Sequence, residues 1–173
     1  MKKISLCIGF VGLLFVCAPV LSVGAISKTQ ETAISDHCDA MREDLKNVQR
    51  ADARARVYIG GRYETILTKF VVPMNLWLVE KNMSRADLIE SQNAISEAKT
   101  SFVNDYVDYQ QGLEQLVALD CKNEPEKFYD KLVRVRQKRK KVEQDMQKMA
   151  KNLDEYKGRV VKLKEATGEK AKE

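Results

Sequence analysis

FYDKLVRVRQKRKKVEQDMQKMAKNLDEYKGRVVKL runs from Phe128 to Leu163, and its spacing decides the fold. Phe128, Leu132, Val135, Arg139, Val142, Met146, Met149, Leu153, Tyr156, Val160 and Leu163 recur at alternating steps of four and three through five heptads. A repeat averaging 3.5 residues puts all of them on one helix face and predicts coiled-coil-like packing. Arg139 alone places a charge in the row.

Two further helices are legible upstream. Leu88, Ile95, Phe102, Tyr109 and Leu116 form an unbroken seven-residue step. Ser84 followed by Asp87 resembles a capping box at its start. Before that, Cys38, Met41, Leu45, Val48, Ala55, Ile59, Tyr63, Ile66, Phe70 and Trp77 recur mostly at three, four or seven. Ser35 or Asp36 can cap this first long helix near His37. Gly60-Gly61 weakens its middle by about 1 kcal/mol per glycine, and reads either as a bend or as close approach of a neighbour. Pro73 predicts a kink or break, with Val72 biased away from helical geometry. Lys81–Ser84 and Cys121–Pro125 are the turns, with Asn123 as a cap and Pro125 in a first helical turn. No strand pattern occurs. The predicted fold is all-α: an antiparallel up-down-up bundle of three long helices over residues 37–166.

The ends bound the compartment. Lys2 and Lys3 precede an apolar run from Ile4 to Val20, and Val23-Gly24-Ala25 offers small residues to a signal peptidase. Residues 1–25 read as a secretory signal peptide, or as an N-terminal anchor if they are retained. Residues 26–36 read as a flexible lead-in and 167–173 as a disordered tail. Processing leaves roughly 148 residues, a one-domain length. The chain carries 30 basic and 25 acidic residues, and losing Lys2 and Lys3 lowers the net charge from +5 to about +3.

Cys38 and Cys121 remain after Cys7 and Cys17 leave with the leader. In an oxidising setting an intramolecular bridge is the default, with free or intermolecular thiols as the alternative. In an up-down-up bundle Cys38 starts the first helix and Cys121 ends the second, so both lie at one end.

Catalytic chemistry is not indicated. His37 is the sole histidine and adjoins Cys38, and there is no Ser-His-Asp set or glycine-rich loop opening a helix. Two cysteines and one histidine make a poor metal set. The reading is no enzyme, no cofactor, no metal and no small-molecule substrate. Arg134, Arg136, Lys138, Lys140 and Lys141, with Arg139 among them, form a basic run. It reads first as a solvated face paired with acids on neighbouring helices, and otherwise as a site for an anionic polymer or nucleic acid. At about 1.5 Å rise per residue, Arg139 lies roughly 27 Å above Cys121, near the heights of Asp52 and Asp105. An internal ion pair of Arg139 with one of these aspartates is expected.

Phe70–Val79, FVVPMNLWLV, is the most apolar stretch of the body. Met74 lies about 54 Å above Cys38, at the end opposite the cysteines. Phe70, Val72, Met74, Trp77 and Leu78 are the candidate tip-contact residues, with one half of the stretch expected in the core and the other as a contact surface.

Several short signals combine: Arg50-Ala51-Asp52-Ala53-Arg54, Tyr63-x-x-Ile66-Leu67, a second helix ending at Asp120-Cys121, and a Phe128-bearing third helix rich in Arg and Lys. Together they resemble a class of small exported coiled-coil proteins of the candidate phyla radiation (Patescibacteria), which carry Arg-(Val/Ile)-Asp-x-Arg at the first of these positions. The resemblance spans most of residues 37–165 and is weakest at Phe70–Val79. It implies a disulfide-tied helical bundle at or outside the cell surface, and no activity.

The leading functional expectation is an exported structural or interaction protein of the cell envelope or extracellular space, with a protein or envelope partner and its oligomeric state left open. The alternatives are a Skp-like basic periplasmic holdase, or a binder of anionic wall polymer or nucleic acid through Arg134–Lys141.

Overall fold

The computed structural model describes residues 26–83 and 85–170. The leader with Cys7 and Cys17, the Ser84 cap and residues 171–173 lie outside the described residues. Among those described, the chain is helical throughout, with no strand.

Residues 26–36, expected to be a flexible lead-in, instead contain helix α1 (Lys28–Asp36). The signal that was missed is a capping box. Gln30 N donates to Ser27 Oγ at 3.3 Å, and Ser27 N donates to Gln30 Oε1 at 2.9 Å. Ile26 and Ile34 are buried in the cluster around the cysteines, and Ser35 Oγ donates to Lys122 O at 2.9 Å. The segment orders because it closes the base of the molecule. Helix α2 (Cys38–Ile66) follows after one non-helical residue, His37, and takes no side-chain cap from Ser35 or Asp36.

The expected break at Pro73 does not occur. A π-helical turn (Leu67–Val71) leads directly into α3 (Val72–Glu80), and Val72 is helical at φ −63°, ψ −50°. Val72 N donates to Leu67 O, five residues back. The wider turn inserts one residue just ahead of Pro73, which moves the preceding carbonyls off the pyrrolidine ring and absorbs its missing N–H. α3 ends in a Schellman arrangement: Asn82 at φ 53°, Asn82 N to Val79 O at 3.0 Å and Met83 N to Leu78 O at 2.8 Å.

Helix α4 (Ala86–Ala118) buries every residue of its seven-step row, Leu88, Ile95, Phe102, Tyr109 and Leu116. In the turn after it, Asn123 does not cap α5: its Nδ2 donates to Asp120 Oδ2 at 2.7 Å, and Asp120 Oδ1 organises the loop by accepting from Lys122 N at 3.1 Å and Asn123 N at 3.2 Å. Helix α5 (Pro125–Lys170) runs past the expected end near residue 166 into the predicted tail. α4 and α5 form the tightest pair, running in opposite directions. As partners on α4 fall from Gln115 through Asp108, Asp105 and Ala94 to Asp87, those on α5 rise from Lys131 through Lys138, Lys141 and Asn152 to Arg159. They pack closely at Gly112, where a Cβ would sit 3.3 Å from Val135 Cγ2.

α2 lies farther off this pair. Of the α5 heptad, Phe128, Val135, Val142, Met149 and Tyr156 are buried. Leu132, Met146, Leu153 and Val160, on the alternate row facing α2, are half-buried, and Arg139 is exposed. Neither reading of Gly60-Gly61 is required: a Cβ at Gly60 would meet the Phe102 ring at an ordinary 4.0 Å, and Gly61 faces open space.

Candidate functional site

The base is closed by Cys38–Cys121, with Cα atoms 5.5 Å apart and a sequence separation of 83. Both cysteines are buried.

Midway up, the predicted ion pair forms with one of its two candidate acids. Arg139 Nε and Nη2 donate to Asp52 Oδ2 and Oδ1 at 2.8 and 3.0 Å, a bidentate geometry. Tyr109 Oη donates to the same Asp52 Oδ2 at 2.7 Å. Burial pushes the Asp52 carboxyl up, but the hydrogen bonds from Arg139 and Tyr109 outweigh it and hold the carboxyl below its ordinary 3.8. Burial and the bond to Asp52 push the Tyr109 phenol up. The folded pKa of Asp52 lies below its unfolded value, so the stability it contributes is present above 3.8 and is lost as pH falls through the lowered value. The pair is not internal as expected: the Arg139 side chain is 59% exposed and Asp52 18%. The reason is the spacing of α2, which leaves the Arg139 row at the edge of a gap rather than in a sealed core.

That gap is a cleft of about 310 Å³. Phe102, Tyr106 and Tyr109 of α4 form its wall, Val142 and Met146 of α5 extend it, and Ile59 of α2 faces them. Arg56 lies over the Tyr106 ring, 5.2 Å from its centroid, a cation–π arrangement. The sequence reading missed Tyr109, Tyr106 and Arg56. The spacing of the two tyrosines reads as core in any helix, and nothing local distinguishes a core aromatic from one bordering a cleft; Arg56 lies off the core row and reads as surface charge.

Asp105 does not reach Arg139. It takes Lys141 at 2.8 Å and lies against Asp145, whose Oδ2 is buried with no hydrogen-bond partner among the described residues. Burial and the neighbouring Asp105 raise the Asp145 carboxyl above 3.8, whereas Asp105, though also pushed up by burial, is held below it by its bonds to Lys141 and Asp145. A proton kept on Asp145 turns two facing acceptors into a hydrogen bond. The folded pKa of Asp145 exceeds the unfolded one, so its contribution is full below 3.8 and is lost as pH rises through the raised value. Replacing Asp145 by Asn supplies a permanent donor to Asp105. The D145N protein is expected to gain about 1 kcal/mol at neutral pH, and to lack the decline in stability with rising pH that urea titrations of the parent are expected to show as Asp145 ionises. An unchanged pH profile would mean that the two carboxylates do not share a proton.

The basic run divides. Lys138 takes Asp108 at 2.6 Å, Lys141 takes Asp105 and Arg139 takes Asp52. Arg134, Arg136 and Lys140 are exposed and make no ion pair among the described residues. The face is half neutralised by neighbouring helices.

At the far end, the tip candidates separate. Phe70 is 65% exposed and Trp77 48%, Val72 and Met74 are half-buried, and Leu78 is buried. Leu78 is therefore core, while Leu76 and Val79 join the exposed set. The inner half is locked by a polar clamp. Tyr156 Oη donates to Asn75 Oδ1 at 3.1 Å, and Asn75 Nδ2 donates to Gln92 Oε1 at 2.9 Å, so three helices meet at one buried amide. No described helix is long and apolar enough to cross a membrane, and no group of three or more potential ligands that could hold a metal occurs among the described residues. No protein family, curated protein or solved structure matches the chain, so the site is read from its own geometry.

Proposed function

We propose that this protein is a non-enzymatic, exported module of the cell envelope or extracellular space. On this reading it is an antiparallel up-down-up bundle of three long helices with coiled-coil-like packing, and it works through contacts made by its tip. One observation carries the proposal. The stretch from Phe70 in the π-helical turn through α3 is apolar nearly all round, yet only Val71, Asn75 and Leu78 are buried; Phe70, Leu76, Trp77 and Val79 stay exposed. A helix apolar on every side is ordinarily covered, and a contiguous exposed apolar patch marks a contact surface. The heptad rows, the opposed run of α4 and α5, and a Cys38–Cys121 bridge suited to an oxidising compartment support the architecture and the export.

The test uses cells expressing the full chain, with a photo-crosslinking residue placed at Trp77 or at Lys140. The expected result is oxidised protein in the exported fraction, with crosslinks to an envelope component from position 77. Those crosslinks should drop at least ten-fold when Phe70, Leu76 and Val79 become Ser. Each change should cost about 0.5 kcal/mol or less, as exposed substitutions do. Reduced protein in the cytoplasm, or crosslinks from position 140 alone, would overturn the reading.

A further inference from the structure

We propose that the cleft between α2 and the α4–α5 pair binds a single-chain anionic amphiphile, with its apolar body along Phe102, Ile59, Val142 and Met146 and its head group on Arg56. The tip plays no part in this assignment.

Size decides the class of occupant. Two turns of a partner helix, about 11 Å long and 10–12 Å wide, fill roughly 1,000 Å³. The cleft holds about 310 Å³, too little for a helix and at the lower end of small-ligand sites, about 300–1,000 Å³. Its surface suits a rod-like apolar group: the α4 wall is aromatic, the α5 side is aliphatic and thioether, and α2 presents Ile59 and the small Ala55.

Charge decides the head group. Four charged residues border the cleft: Asp52, Arg139, Arg56 and Glu143. Asp52 and Arg139 neutralise each other through two hydrogen bonds. Glu143 is exposed and fully able to hydrate. Arg56 is half-buried, rests on the Tyr106 ring, and has no carboxylate partner among the described residues. A guanidinium partly stripped of water and unpaired is the group that gains most from an incoming anion, and its fork fits a carboxylate or a phosphate. A cationic amphiphile would find only the hydrated Glu143.

The experiment titrates the full chain, oxidised, with dodecanoate, dodecanol and dodecyltrimethylammonium below their micelle concentrations, by calorimetry. Dodecanoate is expected to bind one per chain and about ten-fold or more tighter than the other two, the range of a charge-assisted hydrogen bond. Arg56→Gln should erase that preference while leaving dodecanol unchanged, and the surface control Arg136→Gln should leave it intact. Ala55→Leu, on an exposed position lining the cleft, should weaken dodecanoate and dodecanol together. Dodecyl phosphate and dodecanoate as competitors then distinguish the two head groups. Equal affinity for all three amphiphiles, equal losses in R56Q and R136Q, or binding that survives A55L but disappears in Trp77→Ser would each overturn the assignment.

Discussion

Replacing Cys38 and Cys121 together by Ala is expected to lower the unfolding free energy by about 4–5 kcal/mol, the largest effect of any change considered for this chain. The bridge closes a loop across a separation of 83 residues, and in the chain-entropy account a loop of this length restricts the unfolded ensemble by that amount. For a domain of this size the loss corresponds to a fall in Tm of roughly 10–15 °C. The bridge also sits within buried apolar contacts: Ile26, Ile34, Leu116 and Phe128 share its cluster. Freed from it, α1 has its capping box, the contacts of two isoleucines and the single Ser35–Lys122 hydrogen bond to hold it, so its amides should exchange first. Urea titration with and without reductant measures both consequences. The reduced protein should also show a steeper denaturant slope, because its unfolded chain exposes more surface. A loss below about 1 kcal/mol would mean that the base cluster holds the helix ends together without the bond.

Phe102→Ala should cost about 3 kcal/mol, towards the lower end of the 3–5 kcal/mol that deletion of a buried aromatic ring produces. Phe102 is almost fully buried, yet its ring lines two clefts, the 310 Å³ one beside Arg139 and a second of about 260 Å³ beside Gly60 and Glu64. It is the partition between them and the surface on which α2 rests at Gly60. Removing it joins the two clefts into one passage that water can enter, which moderates the penalty for an empty cavity. The damage should be local. Exchange should quicken along α2 from Asp52 to Glu64, while α4 and α5, which are also joined above and below this ring, should keep more of their protection. Uniform loss of protection would instead show that α2 is integral to the α4–α5 pair.

Much of the helical layout is legible in the amino-acid sequence. The row Leu88, Ile95, Phe102, Tyr109 and Leu116 is core as its period indicates; turn positions place Cys38 beside Cys121, and helix rise places Arg139 level with both Asp52 and Asp105, of which the structure selects Asp52. Local rules failed where two of them competed. At Pro73 the missing N–H argued for a break, but a one-residue π-helical insertion satisfied the same constraint at lower cost. At 26–36 polar composition argues for a loose segment, while Ser27-x-x-Gln30 encodes a helix start that prevails.

What the sequence alone determines about this protein is therefore what depends on neighbours along the chain: helical periodicity, caps, and the heights at which residues can meet. Tertiary structure decides what depends on distance between helices. The α5 heptad offers two predominantly apolar rows, and the close packing of α4 buries the Phe128–Tyr156 row while the offset of α2 leaves Arg139 and Met146 at a cleft. The inserted residue before Pro73 likewise rotates α3, so that Leu78 and Asn75 turn inward and Phe70 and Trp77 outward. A helical repeat specifies which residues share a face; the angle and spacing of the packed partners determine whether that face is sealed.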